Sequence, residues 1–109
     1  MTTDVLEAIR RCFAANRAFY TSHARHEMLY EERGSIVEQE IFEAVADGQV
    51  IESYPDDTPY PSFLILGFTT ARRPLHAVCA YNEQEDMAIV VTIYEPDPAL
   101  WERFRRRRV

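Results

Sequence analysis

The chain has 109 residues, 47% of them hydrophobic, enough for one buried core and too few for two domains of ordinary size. Its 12 basic residues, every one an arginine, face 18 acidic ones for a net charge of −6, a balance that argues against a body built to wrap a phosphate chain. The two cysteines lack CxxC spacing and favour buried thiols over a disulfide framework or zinc site, while the longest apolar runs, Phe63 to Phe68 and Met87 to Tyr94, are far shorter than a bilayer span.

Nothing near Met1 resembles a charged-then-apolar signal, so a soluble cytoplasmic protein without membrane contact is expected. Val5, Ile9, Cys12 and Phe13 recur at helical spacing, which predicts an amphipathic helix over 4–18 capped by Thr3. After the β-favouring stretch Phe19-Tyr20-Thr21, Ser22 is expected to cap a second helix over 23–33 that Gly34 closes. Ser35 and Glu38 read as a capping box for a third helix over about 36–47, with Val37, Ile41, Ala44 and Val45 on one side and a stop at Gly48.

Beyond Gly48 the pattern becomes extended. Val50 to Tyr54, Phe63 to Thr69, Leu75 to Tyr81 and Met87 to Tyr94 predict four strands, joined by short polar or proline-containing segments as an antiparallel meander. The third and fourth strands are nearly continuous apolar runs and are expected to be central. Helices first and a sheet afterwards make an α+β fold: two to three N-terminal helices on a four-stranded, mainly antiparallel sheet, in a single domain spanning residues 1–109. Pro96 and Pro98 end the last strand, and Trp101 is expected to fold back as an apolar anchor. Residues 102–109 form an arginine-rich tail of roughly +4 against a body of roughly −10. A frayed, solvated terminus, or one that pairs with an acidic partner, is the expectation for it.

Chemistry-bearing residues stand out against this frame. His76 sits mid-strand, and Tyr94-Glu95 closes the neighbouring strand. His23, Arg25, His26 and Glu27 crowd the start of the second helix, where free N–H groups attract anions. The spacing His23-x-x-His26-Glu27 matches no helical zinc signature, and His23 with Glu27 also fits an i,i+4 pair. Asp56-Asp57 lies between prolines and reads as a turn. The glycines at 34, 48 and 67 form no phosphate loop, so nucleotide hydrolysis by a P-loop is excluded; no metal and no cofactor is implied.

Taken together, Ser22-His23-Ala24, Glu32-Arg33-Gly34, Tyr54-Pro55-Asp56-Asp57, Pro61-Ser62, Leu66-Gly67, Arg73-Pro74-Leu75-His76 and Tyr94-Glu95-Pro96-Asp97-Pro98 through Trp101 resemble the domain of unknown function 4258 family over about residues 19–101. The resemblance implies a small bacterial protein encoded beside a zinc-finger antitoxin of the MqsA type. It also implies a RelE-like or barnase-like fold, and a toxin-like role as a metal-independent mRNA endoribonuclease restrained by that cognate antitoxin. The chain departs from the family at Glu27, where an arginine usually precedes the methionine.

Metal-free RNA cleavage needs a base, an acid and a cation. His23 and His76 are the candidate acid–base pair. Tyr94 would stack on a base or donate a proton, Glu95 would orient a histidine, and Arg25, His26, Arg33 and Arg73 would hold phosphate. The competing reading gives these residues structural work: His23 packs or caps the helix, and His76 hydrogen-bonds inside the fold. In that case the protein is a non-catalytic module that binds a protein or RNA.

Overall fold

The computed structural model describes residues 2–109, with side chains from residue 5 onward. The expected cap at Thr3 falls outside the described side chains. Helix α1 (Thr2–Ala14) stops earlier than the periodicity suggests, because Asn16 turns the chain at φ 58°. Ala18–Tyr20 then form a strand, β1. Helix α2 (Ser22–Tyr30) is capped by Thr21 rather than Ser22; the Thr21 hydroxyl accepts the Ala24 N–H at 3.0 Å. The helix ends at Tyr30, so Gly34, at φ 113°, serves the following loop and not the helix terminus. Helix α3 (Glu38–Ala46) starts after Val37, whose N–H donates to Glu40 Oε1 at 3.0 Å, so the expected Ser35–Glu38 box moves by two residues.

Strands β2 (Gln49–Tyr54), β3 (Ser62–Phe68), β4 (Pro74–Asn82) and β5 (Met87–Tyr94) form the expected antiparallel meander. A fifth member corrects the four-strand count: β1 adds in parallel to the outer side of β5, giving the order β1-β5-β4-β3-β2. A three-residue strand carries too little alternation to show its partner in the sequence; it pairs with Ala88, Ile89 and Val90. The helices-and-sheet order is that of an α+β fold.

All three helices cover one face of the sheet. Ile9, Cys12 and Phe13 of α1, Ala24 and Met28 of α2, and Ile41, Ala44 and Val45 of α3 pack on Ile65, Leu75, Ala77, Cys79, Ala88, Val90 and Ile93. Each large aliphatic side chain buried here is worth about 1.5–3 kcal/mol. Gly67 lets α3 approach: a Cβ there would lie 1.8 Å from the Ala44 carbonyl oxygen. Arg10 closes the same contact by donating to the Val45 and Gly48 carbonyls at the α3 C-terminus, 3.1 and 2.6 Å away.

The tail is not frayed. Trp101–Glu102 (β6) and Arg106–Arg107 (β7) form a hairpin, turned at Arg103 and Phe104 with φ of 53° and 63°. The hairpin lies on the sheet face opposite the helices. Arg105 reaches Gln49 and Arg107 reaches Glu52, both on β2, while Arg108 donates to the Pro98 carbonyl. Trp101 is 4% exposed, as an anchor requires.

Candidate active site

Alternation along β4 sends Leu75, Ala77 and Cys79 to the helices, and therefore His76 to the hairpin side. Two β-bulges bring other polar groups to meet it. The register of β2 shifts between Val50 and Glu52, so Val50 packs with the core while Glu52 and Tyr54 share the opposite face. In β5 an extra residue, Val91, separates Val90 from Thr92. Val90 and Ile93 both face the helices, and Tyr94 lies opposite His76.

The resulting cluster is compact. The Nε2 of His76 lies 2.6 Å from the Phe104 carbonyl oxygen, and Nδ1 lies 3.0 Å from the Tyr94 hydroxyl. A carbonyl only accepts, so the network assigns the proton to Nε2 and makes Tyr94 the donor to Nδ1. The imidazole stands edge-on to Trp101 at 4.5 Å and to Tyr94 at 5.2 Å. Glu52 accepts from Arg107 at 3.0 and 3.1 Å and from the Tyr54 hydroxyl at 2.6 Å. The Arg107 guanidinium also covers the Trp101 ring at 4.7 Å.

Burial sets the protonation states. His76, with no exposed surface, is pushed below its ordinary pKa by burial, which the Phe104 carbonyl and the Glu52 charge only partly offset. Hydrogen bonding from Arg107 holds Glu52 below the usual carboxylate range, with Tyr54 adding to it. Burial, then the Glu52 hydrogen bond, pushes Tyr54 up to about 12; burial also raises Tyr94. At neutral pH the cluster therefore holds a carboxylate, a neutral imidazole, a guanidinium and two protonated phenols.

Tyr94 and Trp101 form the wall between this cluster and an open cleft of about 440 Å³, lined also by His26, Tyr30, Glu31, Arg33, Glu95 and Asp97. The cleft thus collects four of the residues expected to act together: His26, Arg33, Tyr94 and Glu95. His23 is not among them. It is 66% exposed with Nε2 3.4 Å from Glu27, whereas His76 is buried between Tyr94 and Phe104, so the expected pairing of His23 with His76 is not seen.

The arginines are engaged with carboxylates instead of open to phosphate. Arg25 pairs with Glu38 at 2.9 Å and covers the Tyr20 ring, and Arg33 pairs with Asp97 at 3.2 Å. Arg73 is a structural hub. It reaches Glu95 at 2.7 Å, Glu40 at 3.1 Å and the Ser35 carbonyl at 3.0 Å, and also donates to the Gly34 carbonyl. Glu95 thus orients an arginine and not a histidine, while His26 stacks against Tyr30 at 4.6 Å.

Glu27 has a clear role. Where β1 ends, no strand among the described residues continues along the outer edge of β5, and Glu27 Oε1 accepts the Ile93 N–H at 3.0 Å while Glu31 Oε1 accepts the Glu95 N–H at 3.4 Å. Four residues of helix rise about 6 Å and two residues of strand about 6.6 Å, so two glutamates one turn apart match alternate donors of an extended chain. An arginine at position 27 has no acceptor to offer. Sequence reading missed Glu52, Tyr54 and Arg107 as members of the cluster; a carboxylate inside the extended run from Val50 to Tyr54 was the available signal, but the bulge that aims it leaves no mark.

The model for the domain of unknown function DUF4258 matches residues 20–95, from β1 to the end of β5. The chain belongs to this family. The matched DUF4258 segment contains Glu52, His76 and Tyr94 and stops before the hairpin that supplies Trp101 and Arg107. No curated protein matches the chain, and no solved structure does. Among the described residues, no helix is long and apolar enough to cross a membrane.

Proposed function

We propose that this DUF4258 protein is a toxin-like, metal-independent endoribonuclease of a bacterial type II toxin–antitoxin pair, acting on mRNA in the cytoplasm. The observation that carries the reading is the convergence of Glu52, His76, Arg107 and Tyr94 on the sheet face away from the helices. A carboxylate, an imidazole and a guanidinium are what cleavage through the 2′-hydroxyl requires. In this scheme Glu52 takes the 2′-hydroxyl proton, and the 2′-oxygen bonds to phosphorus to give a cyclic phosphate. The bond to the 5′-oxygen breaks as His76, protonated for the step, supplies that oxygen with a proton. Arg107 leaves Glu52 to hold the phosphoryl oxygens, which frees the carboxylate to act as base. Tyr94 fixes the imidazole through Nδ1.

Helices followed by a mainly antiparallel sheet is also the order that a RelE-like kinship implies, and supports that reading. The cleft between α2 and the segment 95–101, rich in carboxylates and aromatic rings, suits a cationic segment of a cognate zinc-finger antitoxin. RNA reaches His76 only when the Phe104 carbonyl or the Trp101 ring moves aside. Incubating the full chain with single-stranded RNA in EDTA tests the proposal: cleavage is expected, with Glu52→Gln and His76→Ala each lowering the rate by about 10²–10⁴. Equal cleavage by those variants, or none by the wild-type chain even after Phe104→Gly loosens the hairpin, overturns it.

A second reading has its own support. His76 is sealed, and Arg25, Arg33 and Arg73 are occupied by carboxylates, as in a non-catalytic module whose acidic cleft binds a protein. Absence of cleavage together with saturable binding of the neighbouring gene product favours that reading.

A further inference from the structure

The hairpin arginines not used by the cluster frame a second site. Along β7 adjacent residues alternate, so Arg107 turns to Glu52 while Arg106 turns away from it. Arg106 joins Arg103 and Arg105 around an open cavity of about 660 Å³ between the hairpin and the outer edge of β2, floored by Val50 and Ile51. The single carboxylate in its wall, Glu102, is held by Arg106 at 2.8 and 3.1 Å. Arg105 is spent only on the neutral amide oxygen of Gln49. Among the described residues Arg103 has no hydrogen-bond or ion-pair partner, and its positive φ places it at the hairpin tip beside the other two.

Cationic side chains are concentrated here on an otherwise acidic molecule. A cavity with three guanidinium groups and one compensated carboxylate attracts anions whose charges are spaced along a chain. The bulge at Ile51 lies in the ladder between β2 and β3, and among the described residues no strand pairs with the outer side of β2.

We propose that this cavity is a phosphodiester subsite that holds the backbone of single-stranded nucleic acid flanking the reacting phosphate. It rests on the ribonuclease reading for the identity of the strand, and not for the binding itself. Arg106 and Arg107, neighbours on one strand, then address the flanking and the reacting phosphate. The hairpin that covers His76 is also the element that the substrate grips.

The test measures fluorescence anisotropy of a labelled single-stranded 2′-deoxy oligonucleotide, which lacks the attacking hydroxyl, against the full chain over a range of salt. Wild-type affinity is expected to fall with salt, and the triple change of Arg103, Arg105 and Arg106 to alanine to lower it by about tenfold and flatten the logarithmic salt slope by about 2, near 0.7 per lost contact. Because the triple change could loosen the hairpin, Arg103→Glu, which breaks no hydrogen bond, is measured beside it; a weaker complex and an unchanged thermal melt are expected. Unchanged affinity and slope in both variants overturn the subsite, as does equal displacement of the oligonucleotide by polyglutamate. If arginine-dependent binding persists while RNA is never cleaved, the catalytic reading falls and the subsite stands. If cleavage depends on His76 yet Arg103→Glu leaves the KM for RNA unchanged, the subsite falls alone.

Discussion

The two faces of the central sheet hold their covering elements by different means. On the helix face, contact is mainly apolar at the centre, with polar bonds such as Glu27 to the Ile93 N–H at its margin, and Gly67 is cleared so that α3 rests directly against β3. On the hairpin face, two short strands are held by one tryptophan, a buried histidine and a set of arginine–carboxylate contacts. Apolar burial is non-directional and survives small movements, whereas the polar contacts depend on geometry and release together. The comparison teaches that the helix face is held by contacts that tolerate small movements, whereas the hairpin face is held by contacts that fail with them.

Overpacking the helix face should produce the largest effect. Gly67→Ala drives a methyl group into the Ala44 carbonyl and is expected to lower stability by about 3 kcal/mol in urea denaturation. A change below about 1 kcal/mol would mean that α3 is not seated as described.

On the other face, Trp101→Ala is expected to cost about 3 kcal/mol of hairpin docking while the sheet core stays folded. Hydrogen exchange reads the difference: amides of residues 101–108 lose protection and those of β4 keep it. Equal loss in both regions would make the hairpin part of the main cooperative unit.

At the boundary between the faces, Glu27→Ala leaves the buried Ile93 N–H unpaired, at about 1–2 kcal/mol. Glu27→Gln retains an acceptor and should cost less, whereas Glu27→Arg should cost at least as much as alanine. Thermal melts of the three variants decide the order.

Acid should act on the hairpin face first. Burial depresses the pKa of His76 in the closed form, so closure favours the neutral ring. Its contribution is complete above the unfolded pKa of about 6.5 and is lost as pH falls through the lower folded value. Trp101 is the only tryptophan, so its emission should shift red across that range before the helical signal changes. An emission spectrum that changes only with global unfolding would contradict a separately opening cover. The smallest effect belongs to the exposed Arg25–Glu38 pair, where Arg25→Ala should change stability by less than about 0.5 kcal/mol.

Much of the molecule was legible in the sequence because period alone reports local structure. Ile9, Cys12 and Phe13 at helical spacing, and the extended runs read as ending at Thr69, Tyr81 and Tyr94, specify helices, strands and their order, the strand ends to within a residue. His76 and Tyr94, which the fold brings into contact, stood out as well, since a polar group within an apolar run is visible without knowing what it faces. The β-favouring stretch at Phe19-Tyr20 was not counted among the sheet strands because three residues cannot display a period, and the tail hairpin was missed because its alternation is hidden among arginines. His23 was grouped with His76 by residue type, and type says nothing about whether a side chain ends in solvent or in the interior.

What the amino-acid order by itself determined is the α+β class, the antiparallel meander from β2 to β5 and the apolar face, and it singled out His76 and Tyr94 one at a time. Tertiary structure alone decided which of those residues meet. One extra residue in β2 and one in β5 reverse the side on which Glu52 and Tyr94 emerge, and a bulge is the outcome of pairing between strands distant in sequence. Burial of His76 and its altered proton affinity follow from the return of Trp101 and Phe104 across the sheet, a contact between segments whose local patterns carry no trace of one another.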